Sequence, residues 1–397
     1  MSRIDDLIRD LCPNGVEHKT LGEVGEFIRG SGIKKRDFIE QGYPCIHYGQ
    51  IHTHYGISAA ETISHISPEQ ATRLRKAQPG DLIIATTSED DDAVGKATAW
   101  LGTTPVAVGG DSFIFRHSMN PKYVSYFFSS TAFSQQKQPH LTGAKVRRIA
   151  ASPLSKIVIP TPPIEVQQEV TRALDKFTHL EAELEAELDL RKQQYSHYLN
   201  HFFTSNTNTH MRTLRDVGPV RMCKRIIKNQ TSQQGDVPFY KIRTFGGTAD
   251  AYISRKLYNE YKERYHFPQP GSILISAAGT IGRSIPYDGK DAYFQDSNIV
   301  WIENNETLVL NSYLLYFYKV ANWKTDNGTI KRLYNDRLLN TAIPVPPLSE
   351  QHKIVNCLDR FDTLVSSPTS GLPAEIEARR KQYEYYRDRL LTFPEKK

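Results

Sequence analysis

Apolar residues recur at three- and four-residue steps along residues 165–203, a stretch without proline or glycine. This is the period of an amphipathic helix, so the pattern predicts one helix from Glu165 to Phe203, roughly 58 Å long at 1.5 Å per residue. A helix of this length cannot cover its own narrow apolar seam and needs a partner helix. The seam consists of Phe177, Leu180, Leu184, Leu188, Tyr195, Tyr198 and Phe202.

A second helical pattern lies near the end of the sequence. Its apolar positions are Ile354, Leu358, Phe361 and Val365, and after a break the pattern resumes around Ala374. Pro368, Gly371 and Pro373 make the break, because proline lacks the amide donor of a helix. The first helix is acidic (Glu181, Glu183, Glu185, Glu187, Asp189) and the second is basic (Arg379, Arg380, Lys381, Arg387, Arg389). These opposite charges favour antiparallel packing of the two helices, although each exposed ion pair stabilises the contact by less than about 1 kcal/mol.

The two helical patterns open with the same proline-rich sequence, 184 residues apart, in residues 159–177 and 343–361. Weaker echoes precede each copy in the same order, at offsets between 184 and 194. The matched segments are 21–25 with 214–218, Pro44 with Pro238, 79–84 with 270–275, 110–112 with 295–297, 123–128 with 313–318, and Gly143 and Arg147 with Gly328 and Arg332. A repeat of this length predicts two similar units with approximate two-fold symmetry.

The sequence therefore predicts an α+β fold with two similar mixed α/β domains, separated by long antiparallel coiled-coil-like helices. Residues 82–84 and 273–275 are apolar runs typical of buried strands. The expected segments are an N-terminal helical segment (1–14), a first domain (15–158), a central helix (159–209), a second domain (210–342) and a C-terminal helical region (343–397).

The charge is unevenly distributed along the chain. The net charge is +6 overall, with +3 in residues 15–158, −4 in residues 159–209 and +7 in residues 210–342. Basic domains attract polyanions, of which nucleic acid is the usual one. Both predicted domains are therefore candidates for contact with nucleic acid, and the acidic connecting helix is not.

Basic side chains cluster with polar and aromatic neighbours in both predicted domains. Arg and Lys contact phosphates and guanine, whereas Gln and Asn read adenine. The candidate DNA-binding residues are Lys34, Lys35, Arg36, His47, Tyr48, Gln50, Lys145, Arg147 and Arg148 in the first domain, and Lys224, Arg225, Lys228, Tyr240, Lys241, Arg243, Thr280, Arg283, Lys331 and Arg332 in the second. In an extended strand Lys241 and Arg243 would share one face and reach one groove. A single basic residue is more often a solvated surface charge, but the clusters as groups favour contact with nucleic acid.

Motifs of catalysis are missing from the sequence. Gly95-Lys96 resembles the end of a P-loop, but the preceding glycine and the following hydroxyl residue are absent. Neither proline pair, 162–163 or 346–347, belongs to the tetrad of amino-methyltransferases. His52 and His54 could chelate a metal with residues 89–92, but a solvated acidic loop is the commoner outcome. We predict no catalytic residue, no metal site and no cofactor bound by this chain.

Cellular location is suggested by the cysteines and by the hydropathy of the chain. The four cysteines have no CxxC spacing and are expected to be free, mostly buried thiols. The N-terminus lacks the apolar core of a signal peptide, and no apolar run approaches the roughly 20 residues of a membrane span. We expect a cytoplasmic protein without a membrane partner.

The whole chain resembles the specificity (S) subunits of type I restriction-modification systems. The resemblance rests on the two helical segments that open with a proline-rich sequence (159–177 and 343–361). It rests also on the opening of the sequence (11–17 and 21–24) and on residues 80–84 and 279–282. It implies that each domain is a target recognition domain for one half of a bipartite, asymmetric double-stranded DNA site. It also implies that the helices set the spacer between the half-sites.

The resemblance implies a set of partners as well. Two modification subunits, which bind S-adenosylmethionine and methylate a flipped adenine, would dock on the helices. Restriction subunits would add ATP- and Mg²⁺-dependent translocation and cleavage, and the chain itself would catalyse nothing. The exposed helix seams leave self-association of the isolated chain open.

Two departures from perfect duplication matter for function. The second helix carries four extra residues, which include the proline-glycine break, and residues 89–92 are acidic where the second domain has residues 278–280. The second difference predicts different half-sites. The bases recognised and the spacer length stay open, as do two alternatives: a duplicated helical scaffold that binds proteins or RNA, and a stand-alone DNA enzyme.

Overall fold

The computed structural model describes residues 3–204, 210–326 and 331–396. The chain divides into two compact units. The first unit comprises Met1–Leu184 and Ile376–Lys397, and the second comprises Glu185–Glu375. Residues 1–2, 205–209, 327–330 and 397, with Gly328 of the repeat among them, lie outside the described residues, and the predicted domain boundaries stay predictions.

Fourteen α-helices are found in the described residues. They are α1 (Arg3–Leu11), α2 (Leu21–Val24), α3 (Tyr48–Thr53), α4 (Pro68–Thr72), α5 (Pro121–Phe128), α6 (Thr131–Lys137), α7 (Ala151–Ser155), α8 (Ile164–Thr204), α9 (Leu214–Val217), α10 (Arg255–Arg264), α11 (Asn311–Val320), α12 (Asn335–Leu339), α13 (Leu348–Ser366) and α14 (Leu372–Leu390). Short 3-10 helices span Lys35–Asp37, Gln138–His140 and Lys228–Gln230.

The strands are short and numerous. The first unit holds β1 (His18–Thr20), β2 (Gly25–Arg29), β3 (Tyr43–Ile46), β4 (Ser58–Ala59), β5 (Ser64–Ile66), β6 (Lys76–Ala77), β7 (Leu82–Ala85), β8 (Thr87–Ser88), β9 (Ala97–Trp100), β10 (Val106–Val108), β11 (Ser112–His117), β12 (Arg147–Arg148) and β13 (Val158–Pro160). The second unit holds β14 (His210–Thr213), β15 (Val220–Arg221), β16 (Val237–Tyr240), β17 (Tyr252–Ile253), β18 (Ile273–Ser276), β19 (Ser284–Pro286), β20 (Tyr293–Phe294), β21 (Ile299–Ile302) and β22 (Ala342–Val345).

The core of the first unit lies around a five-stranded sheet of order β2-β11-β7-β9-β4. Its central strand β7 is buried at every position and runs antiparallel to β11, with Ile83 opposite Ile114. A four-stranded sheet of order β5-β3-β10-β6 adds a parallel pair, β3 with β10. Asn120 precedes helix α5 and caps it with its side chain, and α5 buries Tyr123 and Phe127 in the same core.

The second unit repeats this plan with fewer strands. Its central strand β18 is fully buried and antiparallel to β21, in a sheet of order β15-β21-β18-β19. The parallel pair is again present, between β16 and β20. The predicted buried strands at residues 82–84 and 273–275 are therefore confirmed.

Equivalent side chains make equivalent bonds in the two units. The Gln167 amide accepts from the backbone N–H of Asn120 (2.9 Å) and donates to the Pro162 carbonyl (2.7 Å). The Gln351 amide accepts from the N–H of Leu310 (2.9 Å) and donates to the Pro346 carbonyl (2.8 Å). Both glutamines are buried. Since the pattern of bonds repeats with the sequence, the internal repeat is structural.

A tyrosine–aspartate contact joins the globular part of each unit to its helix. In the first unit the Tyr126 hydroxyl donates to Asp175 of α8 (2.8 Å), and Lys122 pairs with the same carboxylate (2.8 Å). In the second unit the Tyr316 hydroxyl donates to Asp359 of α13 (2.5 Å). We call these contacts the tyrosine clasps.

The long predicted helix is confirmed as α8, and its seam is covered separately in each unit. In the first unit Phe177 stacks on Tyr386 of α14 (5.3 Å between ring centroids), and Glu181 pairs with Arg380 (2.5 Å). In the second unit Tyr198 packs against Phe361 of α13 (5.5 Å). Both pairs are antiparallel, as predicted, and the predicted break falls between α13 and α14, where Gly371 has a φ of +79°.

The last residues of the chain complete the core of the first unit. Leu391 and Phe393 are buried there among residues of α1, α5 and α8. The backbone of residues 394–396 bonds to Val16 from both sides, with Val16 N to Pro394 O at 2.8 Å and Lys396 N to Val16 O at 3.0 Å. No described helix is long and apolar enough to cross a membrane.

Candidate nucleic-acid interface

The first basic cluster lies on the 3-10 turn Lys35–Asp37. Ile33 is buried and anchors the turn, and the Asp37 carboxylate accepts from the N–H of Lys34 (2.7 Å). The side chains of Lys34, Lys35 and Arg36 are exposed. Within the described residues none of the three forms an ion pair, so all three charges are available to an external anion.

The turn is close to helix α3, where the predicted residues His47, Tyr48 and Gln50 lie. His47 caps α3, its ring accepting from the N–H of Gly49 (3.2 Å). Burial lowers the pKa of His47, and the neighbouring charge of Lys35 lowers it further. The Gln50 amide accepts from the N–H of His47 (2.9 Å) and donates to Ser64 (2.6 Å). Gln50 is therefore engaged in capping, which leaves part of its hydrogen-bonding capacity for a base.

The third segment of the first unit, residues 142–148, folds back on the acidic loop 89–92. Strand β12 pairs with β8, with Arg148 opposite Thr87. Arg147 forms a two-pronged contact with Asp91, Nε to Oδ1 at 2.6 Å and Nη2 to Oδ2 at 3.3 Å. Lys145 and Arg148 are exposed and have no carboxylate partner among the described residues. The acidic loop thus neutralises one of the three basic side chains.

A further contact ties these segments together. The Nε2 atom of His52, on α3, lies 3.0 Å from the carbonyl oxygen of Thr87, which belongs to the β8–β12 pair. The predicted residues of the first unit therefore lie on one connected set of loops. We call this set the first basic face: Lys34, Lys35, Arg36, His47, Tyr48, Gln50, Lys145, Arg147 and Arg148.

The second unit corrects the expectation that Lys241 and Arg243 lie in a strand. Strand β16 ends at Tyr240, and residues 241–246 form a turn in which the N–H of Lys241 donates to the hydroxyl of Thr244 (3.2 Å). The polar side chain of Thr244 favours this turn over continued pairing. Lys241 (3.6 Å) and Arg243 both pair with Asp250. They reach one surface through the turn and not through strand alternation.

The turn contacts the next two predicted segments. Arg283 donates to the carbonyl of Phe245 (2.8 Å), which links loop 279–283 to the turn. Ser276 holds this loop by donating to the Thr280 carbonyl (2.5 Å) and accepting from the N–H of Arg283 (2.9 Å). Ala278 pairs with Arg332, which brings Lys331 and Arg332 alongside.

The predicted basic residues at positions 224, 225 and 228 do not all lie together in the structure. The ammonium of Lys224 lies 5.0 Å from the centre of the Tyr265 ring, and Arg225 lies 3.9 Å from Asp296. The neighbouring residue Gln295 bonds to Tyr240 and Ile242, which connects Arg225 to the turn. Lys228 lies apart on its own exposed 3-10 turn, at the position that Lys35 occupies in the first unit. We call the connected set the second basic face: Lys224, Arg225, Tyr240, Lys241, Arg243, Thr280, Arg283, Lys331 and Arg332.

Sequence reasoning missed residues that reach these faces from distant positions. Arg264, Tyr265 and His266, at the end of α10, line a cavity of about 520 Å³ with Lys224 and Arg225. Asp91 orients Arg147 from 56 positions away. Neither the cavity lining nor the Asp91–Arg147 contact follows the period of a helix or a strand, so these contacts could not be predicted from the sequence.

The alternative of a metal site finds no support among the described residues. No group of three or more His, Cys, Asp or Glu side chains is placed to hold a metal there. Asp91 is engaged by Arg147, and His52 faces the Thr87 carbonyl. Cys12, Cys45 and Cys223 are buried and Cys357 is half-buried, all as free thiols. Burial raises the pKa of Cys45 and Cys223 to about 12, as expected for structural thiols.

Comparison with known proteins identifies the fold and its relatives. The family model of the type I restriction modification DNA specificity domain matches residues 13–190 and again 206–378. A Haemophilus influenzae protein named as a type I restriction enzyme specificity subunit is 47% identical over 310 residues, covering 76% of this chain and 78% of the relative. The Escherichia coli EcoR124I/EcoR124II specificity subunit is 30% identical over 292 residues, covering 69% of this chain and 71% of the relative.

Solved structures share the fold at low identity. A chain from a structure addressing assembly and conformational transition of the type I restriction-modification system superimposes with a TM-score of 0.62 and 17% identity, covering 96% of this chain and 98% of that one. The HsdS subunit of Thermoanaerobacter tengcongensis superimposes with a TM-score of 0.53 and 15% identity, covering 96% and 97%. The predicted fold of two mixed α/β domains with a long helix between them is confirmed.

Proposed function

Because the chain belongs to the type I restriction-modification DNA specificity family, as a specificity subunit with two target recognition domains, we propose that its two basic faces each read one half of a bipartite, asymmetric DNA site. The first unit would read one half-site and the second unit the other. The unread spacer between them would be set by the helices. The chain would itself carry no catalytic residue.

The observation that supports this proposal most is the equivalent placement of exposed basic loops in both units. In each unit a capped turn follows the strand of the parallel pair, a loop follows the buried central strand, and a later basic segment pairs with that loop. Exposed lysines and arginines on such loops suit phosphate contacts, which hold a protein in register on the duplex. The loops supply the remaining polar groups to base edges.

The two faces differ in charge, which supports an asymmetric site. The central loop of the first unit carries Asp90, Asp91 and Asp92, whereas the equivalent loop of the second unit carries Gly279, Thr280 and Gly282. Carboxylates accept hydrogen bonds from cytosine and repel phosphates, and a glycine loop does neither. The half-sites read by the two units should therefore differ in sequence.

Methylation would come from partner subunits. We propose that two modification subunits dock on the helices α8, α13 and α14, bind S-adenosylmethionine and methylate adenine in the cytoplasm. Restriction subunits, where the host has them, would supply ATP- and Mg²⁺-dependent cleavage. Exchange of the helices with those of a relative should change partner choice and leave both half-sites unchanged.

The first test is methylome sequencing of cells that express the host's modification subunit with and without this chain. We expect a two-part adenine-methylated motif that appears only with the chain. If the subunits are shown to assemble and no new motif appears, the proposal is wrong and a scaffold role takes its place. Salt provides a second check, because DNA affinity that depends on phosphate contacts falls steeply as salt rises.

Exchange of one domain tests the division of labour. Residues 15–158 replaced by the corresponding domain of a relative should change one half of the methylated motif and keep the other. The reciprocal exchange of residues 210–342 is the matched control. A change in both halves from either exchange would contradict independent reading by the two units.

A further inference from the structure

The acidic loop 89–92, which contacts the first basic face through Asp91, is held in place by a buried lysine. Lys137, the last residue of α6, is only 3% exposed. Its ammonium donates to the carbonyl oxygens of Asp92 (2.7 Å) and Val94 (2.6 Å). Burial lowers the pKa of Lys137, and the nearby carboxylates of residues 90–92 oppose that shift. A buried ammonium is costly unless such bonds replace its hydration, so this contact fixes the loop in one conformation.

The fixed loop in turn orients Arg147. Asp91 accepts from Gln138 (3.3 Å) and from both Nε (2.6 Å) and Nη2 (3.3 Å) of Arg147. On its other side, Nη1 of Arg147 donates to the carbonyl of Gly143 (2.8 Å). Gly143 has a φ of +93°, and a Cβ there would lie 2.2 Å from the Val146 carbonyl, so this acceptor also depends on the local backbone. The guanidinium is thus held on two sides.

Two donors of Arg147 remain for an external partner. A guanidinium has five N–H groups. Asp91 takes one from Nε and one from Nη2, and Gly143 takes one from Nη1. One N–H on each Nη is left, and the side chain keeps 28% of its exposure. Guanine presents O6 and N7 side by side in the major groove, an arrangement that two adjacent N–H groups match.

On the basis of the DNA-reading function proposed above, we propose that Arg147 reads one guanine of the half-site contacted by the first unit and that Asp91 is its positioning residue. The carboxylate restrains the rotamers of Arg147 before DNA arrives, so less conformational entropy is lost on binding. Lys137 acts one step further back, through the backbone that carries Asp91.

The neighbouring basic residues provide a contrast. Arg148 and Lys145 are exposed and have no carboxylate partner among the described residues. Unrestrained side chains of this kind suit phosphates, which carry no sequence information. Arg148 is therefore a matched control: the same side chain, one position away, without the restraint.

The first experiment uses the unaltered chain assembled with its modification subunit. Each guanine of the first unit's half-site, on either strand, is replaced in turn by 7-deazaguanine, which lacks the N7 acceptor. We expect one position to weaken binding on the order of fivefold, because one of the two hydrogen bonds is lost. If no position weakens binding while the bipartite motif is still methylated, the guanine assignment is wrong and the proposed function stands. Absence of any bipartite motif would instead contradict the proposed function.

The second experiment assigns the contact to Arg147. In the complex with Arg147→Lys, the same guanine should lose its preference over other bases by about ten- to a hundredfold, and the effect of 7-deazaguanine at that position should disappear. Asp91→Asn should weaken the preference at the same position, since it removes the charge that orients the guanidinium. Arg148→Lys should change binding to all sequences by a similar factor, because a phosphate contact carries no sequence information, and should leave the preference for that guanine intact.

Folding failure does not obscure the result. The same methylome shows the sequence of both half-sites. A variant whose first unit fails to fold would lose the whole motif. A variant that loses only one base contact would keep the motif and accept several bases at one position of the first half-site. Degeneracy spread over the whole first half-site in Arg147→Lys, or equal degeneracy in Arg148→Lys, would overturn the assignment.

Discussion

A half-buried histidine links the stability of the first unit to pH. His117 ends strand β11, where its Nδ1 atom accepts from the N–H of Met119 (3.2 Å) and its Nε2 atom has no partner among the described residues. Burial lowers the pKa of His117 to about 4, although the nearby carboxylate of Asp81 opposes the shift. Asp81 is itself paired with Arg116 (3.1 Å), which limits its influence.

Acid should therefore destabilise the first unit through His117. The folded-state pKa lies below the unfolded value of about 6.5, so the unfolded chain binds the proton first as pH falls. Stability is fully present above pH 6.5 and is lost between about pH 6.5 and 4, by about 3 kcal/mol for a depression of this size. Hydrogen exchange of β7 and β11 at pH 7.5 and pH 5 measures it. His117→Leu should flatten this dependence, and an unchanged pH slope in that variant would contradict the role of His117.

The buried glutamines of the repeat should each stabilise only their own unit. Gln351 is fully buried and bonds to three backbone groups, the N–H of Leu310 and the carbonyls of Leu308 and Pro346. Gln351→Leu leaves these groups without partners and should lower the unfolding free energy of the second unit by about 3 kcal/mol or more. Gln167→Leu is the matched variant and should affect the first unit instead. Urea unfolding followed by hydrogen exchange in β18 and β7 distinguishes the two.

At the residue scale the sequence predicts positions better than partners. Gln167 and Gln351 are visible in the sequence as identical letters 184 positions apart, but their partners at 120 and 310 are fixed by tertiary packing. The prediction for Lys241 and Arg243 was wrong for a related reason. The apolar alternation before them continues to Tyr240, and the hydroxyl of Thr244, four positions later, decides that the chain turns.

At the scale of elements, the tyrosine clasps fix each globular part on its helix. Burial raises the pKa of Tyr126, so its hydroxyl stays protonated and donates to Asp175 on α8. Tyr126→Phe removes the donor and Asp175→Asn removes the charge. We expect the two changes to be non-additive, with a coupling energy of about 1–2 kcal/mol, because a hydrogen bond to a charged group is involved. A thermal-unfolding cycle of the four proteins measures this, and full additivity would exclude an energetic role for the clasp.

The helices could be predicted from the sequence because their signal is long. Thirty-nine consecutive residues from Glu165 to Phe203 follow one period, and the structure extends this helix by one residue at each end. The proline-glycine break between α13 and α14 was equally visible, since Pro368 and Gly371 interrupt the pattern. The short strands of two to six residues carry too few positions for a period, and apart from the apolar runs of β7 and β18 they could not be predicted with bounds.

At the scale of the whole molecule, the first unit depends on residues from both ends of the sequence. Helix α14 pairs with the beginning of α8, and Leu391 and Phe393 enter the core of the first unit. The complementary charges of the two helices indicate that α14 pairs with α8. Nothing in the local sequence, however, indicates that Leu391 and Phe393 enter the core of the first unit. This assignment needed the folded chain.

Truncation after Glu375 tests this dependence. The shortened chain keeps every residue of the second unit and loses the C-terminal segment of the first. We expect protease cleavage and hydrogen exchange to increase throughout residues 3–184, because the buried side chains of Ile376, Leu391 and Phe393 and the cover of the α8 seam are lost. Residues 210–326 should keep the protection of the full chain. Equal loss of protection in both units, or in neither, would contradict the division of the core.

The backbone bonds between Val16 and residues 394–396 also bear on the order of synthesis. The second unit, residues 185–375, is continuous in sequence and can close as soon as it leaves the ribosome. The first unit is made earlier but must wait for the last segment, a delay on the order of 10 seconds or more at about 5–20 residues per second. Translation products that stop early would carry an unfinished first unit, with its apolar surface open to chaperones and proteases. The first recognition domain can therefore complete its backbone hydrogen bonds only after translation has reached residue 396.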